Sequence, residues 1–235
     1  MRTLVAGWYG KLPAAGDFVQ RRLPAAFVEP WDAACRESLV ANASRLGDAW
    51  PEAFLAMRPW RFAIAAGPCG EASWVGVVGP SRDRIGRVFP LTVAAPLSCG
   101  VADGAWFAAA EVPLHLAAAG ASVHDVDDAV ASLPVPRVAD APSLRTASGD
   151  GASAVFWRDA DPSRGLAVAG LSEGLRHLCR SEDIARVFPM FPPVVPTPAT
   201  FAGTTRTRSS SPTGSACGWW PMGSAAMPPA ITRAA

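Results

Sequence analysis

The chain has 235 residues and a formal net charge of +1; half of its residues are hydrophobic and 17% are charged. Nine Trp and ten Phe supply enough apolar area for a folded core, which excludes whole-chain disorder. The near-neutral balance argues against a dedicated nucleic-acid binder, which normally carries a basic excess or stripe. Lys11 is the only lysine; the other twenty basic residues are Arg.

Taken in chain order, Leu4 to Tyr9 is a short apolar run before Gly10 and reads as a strand. Pro30 to Leu46 reads as a helix, with Pro30 in the first turn and Trp31, Cys35, Leu39 and Leu46 near one face. Asp48 is the expected N-cap of a shorter helix running to Met57. Trp60, Phe62 and Ile64 alternate with Arg61 and Ala63, which is strand periodicity. Trp74 to Val78 and Phe89 to Ala95 are two further strands. Turn-rich segments at 67–71 and 79–86 link them, so an antiparallel hairpin is expected.

The middle is more helical. Asp103 to Ala119 is Ala-rich, with Pro113 expected to bend or split it. Ser122 and Asp125 have the spacing of a capping box that opens a helix to Leu133. Residues 134–151 read as a loop, Ala154 to Trp157 and Leu166 to Ala169 as strands, and Ser172 as the cap of a helical region ending at Phe188. The organisation expected is one domain over 1–188 and a Pro/Ser/Thr-rich tail over 189–235. Residues 191–235 hold eight Pro and no acidic residue, the composition of a segment that need not pack or of a shifted reading frame.

Five Cys, at 35, 69, 99, 179 and 217, include no CxxC pair and read as buried thiols in a reducing compartment. The N-terminus lacks the apolar stretch of a signal peptide. The longest apolar segment, 104–120, is interrupted by Glu111, Pro113 and His115. A cytoplasmic protein without stable membrane insertion is expected. GWYGKL at 7–12 lacks the spacing of a phosphate loop, since Lys11 is followed by Leu12. No GxSxG elbow is present. His115, His124 and His177 have no metal-ligand spacing. His124 lies near Asp125, Asp127 and Asp128, acids that the helix dipole explains better than a divalent ion. No metal, cofactor or catalytic residue is assigned.

Two segments concentrate Gly, Pro, Asp and Arg beside apolar strand residues: GKLPAAGDFVQRRLP at 10–24 and PSRDRIGRVFPLT at 80–92. Turn chemistry explains them in one way: Gly for positive φ, Pro for fixed φ, Asp for backbone capping, Arg paired to Asp. A polar surface that recognises a partner, with Arg as bidentate donor, explains them in another.

GWYGKLPAAGDFVQRRLP at 7–24, then in order Phe27, Trp31–Asp32, LGDAW at 46–50, PWRF at 59–62, Trp74 with GV at 76–77 and PSRDRIGRVFPLT at 80–92 resemble the TagF (ImpM-like) family of type VI secretion accessory proteins. The likeness covers roughly residues 5–95. It is looser to 188, where AVFW at 154–157 and GLSEGLRHL at 170–178 carry Phe156 and Ser172 at positions where the family has Trp and Pro. The resemblance implies a three-layer α/β sandwich with a central mixed, partly antiparallel sheet. It also implies a non-enzymatic regulator that represses type VI secretion after translation by binding a forkhead-associated (FHA) scaffold protein, and it leaves other type VI components as further partners. It supplies no catalytic residues. Candidate partner-binding positions are Lys11, Asp17, Arg21, Arg61, Asp83, Arg84 and Arg87. Candidate loop-shaping positions are Gly10, Pro13, Gly16, Pro80, Ser81, Gly86 and Pro90. For Trp60 and Phe62, core packing is favoured over contact. Pairing of Asp17, Arg84 and Arg87 with one another across the fold stands beside the docking role. Two other functions compete: a small phosphate-handling hydrolase using Asp17, Asp83 and Arg84, and a structural subunit of the secretion apparatus.

Overall fold

The structure is a computed structural model and describes residues 5–97, 101–139, 153–158, 166–168 and 170–178. Strand β1 (Gly7–Gly10) pairs with the short β2 (Val19–Arg21). Helix α1 (Ala25–Leu46) follows, then a 3-10 turn at Gly47–Ala49 and helix α2 (Trp50–Leu55). Strands β3 (Trp60–Ile64), β4 (Ser73–Gly79) and β5 (Leu91–Leu97) come next. The two-residue β6 (Val101–Ala102) leads into α3 (Gly104–Ala118) and α4 (Val123–Ala131), and β7 (Val138–Ala139) returns to pair with β6. Strands β8 (Ala154–Trp157) and β9 (Leu166–Val168) and helix α5 (Leu171–Leu178) end the described chain.

Seven strands form one sheet in the order β2-β1-β5-β4-β3-β8-β9. Every described pairing is antiparallel, so among the described residues the sheet is antiparallel rather than mixed as expected. The links from β3 to β4 and from β4 to β5 are turns that reverse the chain, whereas a parallel neighbour needs a long crossover.

Strand alternation produces the layers. In β4, Val75 and Val77 point to one face and Trp74 and Val78 to the other; in β5, Leu91, Val93 and Ala95 oppose Thr92 and Ala94. A strand that is apolar on both sides must be covered on both sides. Helices α3 and α4 cover the first face with Trp106, Phe107, Ala110, Leu114, Val126 and Val130. Helices α1 and α5 cover the second with Phe27, Trp31, Cys35, Leu171 and Leu175. The result is the expected three-layer α/β arrangement.

Trp31 is the centre of the second core. It is fully buried, its ring lies 4.8 Å from that of Phe62 and 5.6 Å from that of Phe27, and its Nε1–H donates to Thr92 Oγ1 at 2.9 Å. Gly76 stands opposite Phe62 in the register, and a Cβ there would collide with the Phe62 ring and the Val93 carbonyl. Phe62 pairs in turn with Phe156 on β8. The Trp, Phe and Gly positions of four elements therefore depend on one another.

Several boundaries differ from the sequence reading. Helix α1 begins at Ala25, so Pro30 lies inside it; Pro24 is the extended residue that precedes the helix. Asp48 caps nothing with its side chain, because the chain there is a 3-10 turn, and α2 starts at Trp50 with a Pro in its first turn. Pro113 lies within α3, which runs through it unbroken, and Asp103 is the N-cap, accepting from the Trp106 N–H at 2.8 Å. The Ser122–Asp125 capping box is formed in both directions. Cys35 and Cys69 are buried, and burial pushes the Cys69 thiol up to about 12. The expected helix beyond Leu178, the tail 189–235, and Cys99, Cys179 and Cys217 lie outside the described residues.

The acids on α4 are each engaged by a side chain, Asp125 and Asp128 within the helix and Asp127 from across the fold. Asp127 accepts from Trp8 Nε1–H at 2.8 Å and pairs with Arg22 Nη2 at 2.8 Å. His124 stands 3.3 Å from Asp128 on the exposed face. Arg22 has φ +60 and donates through Nε to the Ala6 carbonyl, which ties the turn after β2 to both β1 and α4. Among the described residues, no group of three or more His, Cys, Asp or Glu side chains is placed to hold a metal ion.

Candidate docking surface

The two segments rich in Gly, Pro, Asp and Arg meet at the end of the sheet formed by the exit of β1 and the entry to β5. Gly10 pairs with Leu91, has φ +144, and has the Pro90 carbonyl where a Cβ would stand. Any side chain there would push the two segments apart and be strained in itself. Past Gly10, Pro13 occupies the second position of a turn closed by Ala15 N–H to the Leu12 carbonyl at 3.0 Å. The β4–β5 connection, residues 80–90, folds against this turn. Ser81 Oγ donates to the Lys11 carbonyl at 2.7 Å, and Arg84 N–H donates to the Ala15 carbonyl at 2.8 Å.

Asp83 organises the joint. Its side chain is fully buried. Oδ1 accepts from the backbone N–H groups of Ile85 at 3.1 Å and Arg87 at 2.9 Å. Oδ2 receives Lys11 Nζ at 3.0 Å and Arg87 Nε at 2.6 Å. Gly86, at φ +89, makes the turn between them, and its N–H returns to the Asp83 carbonyl at 3.0 Å. Burial pushes the Asp83 carboxyl up. The hydrogen bonds from Lys11 and from the backbone and side chain of Arg87 outweigh it and hold the carboxyl well below the usual carboxylate range. The Arg87 guanidinium then reaches across, Nη2 donating to the Gly16 carbonyl at 2.9 Å. Arg84 Nη2 would stand 3.2 Å from a Cβ on Gly16, so both guanidiniums pass beside that glycine.

An aromatic shelf adjoins the joint. Phe18 stacks on Tyr9 with centroids 5.7 Å apart and meets Phe89 edge-on at 4.7 Å. Lys11 Nζ lies 5.1 Å from the Phe18 ring centre and the Arg36 guanidinium 5.2 Å from it. Arg36 is held from below by Asp32 at 2.6 Å, and Tyr9 OH donates to the other oxygen of the same carboxylate. Burial, and then the Asp32 hydrogen bond, push the Tyr9 hydroxyl well above its ordinary value.

The candidate residues therefore divide. Asp17, Arg84 and Arg87 are exposed at the joined loops. Asp17 does not pair with either arginine through a described contact; its Oδ1 accepts from the Phe18 N–H at 2.8 Å. Lys11 and Asp83 lie beneath the surface and hold the loops together, out of a partner's reach. Arg21 is exposed on the edge strand β2, its Nη1 donating to the Gln20 carbonyl. Arg61 sits on the face under α3, bound to Glu111 at 2.8 Å with its guanidinium 5.7 Å from the Phe107 ring centre. Strand alternation sends Arg61 to that face because Phe62 takes the other. Among the loop-shaping positions, Ser81 and Pro90 are buried, Pro13 and Pro80 half-buried, and Gly16 and Gly86 exposed. Phe18, Arg36 and Ile85 also belong to this surface and were not singled out from the sequence. Ile85 had a signal there, as an apolar residue inside a turn rich in Arg.

Arg61→Ala is expected to lower unfolding free energy by about 1–3 kcal/mol, the range for a partly buried charged hydrogen bond. Partner affinity should not change. Denaturant titration and a binding isotherm check the two halves.

The motif order on which the two loops depend is that of a known domain. The TagF N-terminal domain, type VI secretion system-associated, matches residues 7–133. The chain belongs to the TagF family. It is similar to PA0076 from Pseudomonas aeruginosa PAO1, known from a crystal structure, with 36% sequence identity over 74% of this chain and 93% of that one and a TM-score of 0.60. No curated protein matches it. In this TagF-family chain the matched segment ends two residues beyond α4. It thus contains both loops, the Asp83 joint and the α3–α4 layer. The protein is type VI secretion-associated, and among its described residues no helix is long and apolar enough to cross a membrane.

Proposed function

We propose that the protein is a cytoplasmic, non-enzymatic regulator that holds the type VI machine inactive after translation by binding the system's FHA scaffold protein. The docking face is the surface of the two joined loops, with Asp17, Arg84 and Arg87 exposed on it. The observation that carries this reading is the Asp83 joint: a buried carboxylate fixes two remote segments into one rigid, arginine-bearing surface. Preorganised surfaces suit protein recognition because little ordering remains to be done on binding. The same joint weakens the hydrolase alternative. Both oxygens of Asp83 are occupied by four donors, so this carboxylate has no open site from which to take a proton or attack phosphorus.

The test mixes the folded, monodisperse protein with the FHA scaffold encoded in the same gene cluster. A complex that co-elutes in size exclusion, together with increased type VI secretion when the gene is deleted, is the expected result. Separate elution of the two proteins would reject the reading. Stoichiometric retention in the purified, firing apparatus would favour a structural subunit instead.

A further inference from the structure

The β4–β5 connection carries a feature that the docking reading does not itself require. Ile85, at its tip, is 70% exposed, more than any other large hydrophobic side chain among the described residues. Arg82, Arg84 and Arg87 are exposed around it in the sequence. The connection has one carboxylate, Asp83, and that group is buried and spent on Lys11 and Arg87. The tip thus shows solvent a sec-butyl side chain and the guanidiniums of Arg82 and Arg84, which no acid of the connection pairs, while Arg87 is already bridged to Asp83.

The tip is also held still. The Ile85 N–H is bound by Asp83 Oδ1, the Gly86 N–H by the Asp83 carbonyl and the Arg84 N–H by the Ala15 carbonyl. An apolar side chain on a rigid turn has its ordering cost already met, so its burial against a partner appears more fully as affinity. Unpaired guanidiniums around an apolar group are complementary to carboxylates around an apolar hollow.

Resting on the docking reading above, we propose that Ile85 is the central anchor of the interface and seats in an apolar socket rimmed by carboxylates on the protein partner. Arg82 and Arg84 pair with the rim and steer the approach. Asp83 and Lys11 do not touch the partner; they hold the anchor at its height. An anionic membrane presents similar chemistry, but one short apolar side chain is too little to anchor a domain there. A protein socket is therefore the occupant the surface favours.

The probe is the purified FHA scaffold protein, titrated against the full chain and four variants, with thermal melting recorded for each. Ile85→Ala is expected to weaken binding about tenfold and Ile85→Asp about thirtyfold or more, the behaviour of a buried anchor. Arg84→Glu should weaken binding and flatten its dependence on salt, as loss of steering charge does. Val112→Asp, at an exposed position on α3 across the sheet, should bind as the wild type does. All four should melt within a few degrees of the wild type. If the wild type binds the scaffold and Ile85→Ala and Arg84→Glu bind equally well, the anchor is overturned while the docking reading stands. If the wild type does not bind the scaffold, both are overturned. Sedimentation with phosphatidylserine vesicles that Ile85→Asp abolishes, with scaffold binding untouched, would replace the protein socket by a membrane.

Discussion

Replacing Asp83 by Ala is expected to lower the melting temperature by about 10 °C and to abolish scaffold binding in the same variant. The substitution removes no exposed group. It strands the Lys11 ammonium, whose side chain is 8% exposed, without its counter-charge. It also frees the backbone N–H groups of Ile85 and Arg87 and releases Arg87 from the buried end of its bridge. Breaking one side of a buried pair is costly because the remaining charge stays desolvated. The loop then loses the geometry that presents Arg84 and Ile85. Asp83→Asn keeps the shape but not the charge, and should fall between wild type and Asp83→Ala. Differential scanning fluorimetry paired with a binding isotherm separates these outcomes; an Asp83→Ala protein that melts as the wild type does would show that the joint is not held this way.

The sign of the pH dependence follows from the same carboxyl. Its folded value lies below the unfolded one, so its contribution is fully present above the ordinary carboxylate range. As pH falls through that range the unfolded chain takes up the proton first, and the contribution declines progressively toward the lower folded value. Neutral and mildly alkaline conditions leave it intact.

The second large effect belongs to the core. Trp31→Ala is expected to cost about 3–5 kcal/mol from lost burial and the cavity left behind. Thr92 Oγ1, buried in β5, would also lose its donor, adding about 1–3 kcal/mol if no water replaces it. For a domain of marginal stability this is enough to populate the unfolded chain at room temperature. Trp31→Phe keeps the ring contact with Phe27 and Phe62 and should lose distinctly less. Urea unfolding followed by far-ultraviolet circular dichroism measures both. Near-wild-type stability of Trp31→Ala would mean that α1 is not anchored through this residue.

Local chemistry was legible where a short stretch of chain decides the outcome. The capping box at Ser122 and Asp125 formed as its spacing demands, because both partners lie within one helical turn. The strands at Trp60, Trp74 and Ala154 followed from alternation or apolar runs. The start of α1 was misplaced because Pro30 suits a first turn, yet it lies inside the helix, where it has no N–H for the Ala26 carbonyl, and Pro24 in the extended conformation marks the boundary. Strand β2 was hidden inside a segment rich in Gly, Pro and Arg, since a three-residue edge strand has no room to show a period.

By themselves, the residues determined a two-faced apolar sheet, the helices that must cover it, and two segments of unusual composition whose motif order belongs to the TagF family. Only the tertiary structure decided which polar side chains meet solvent. Lys11 and Asp83 are 72 positions apart and end in one buried bridge, while Arg84, one residue further on, faces out. Arg61 goes under α3 because the register of β3 puts Phe62 against α1. Charge and turn propensity act over a few residues, but burial is set by which distant segments the sheet brings into contact, and that is a property of the whole fold.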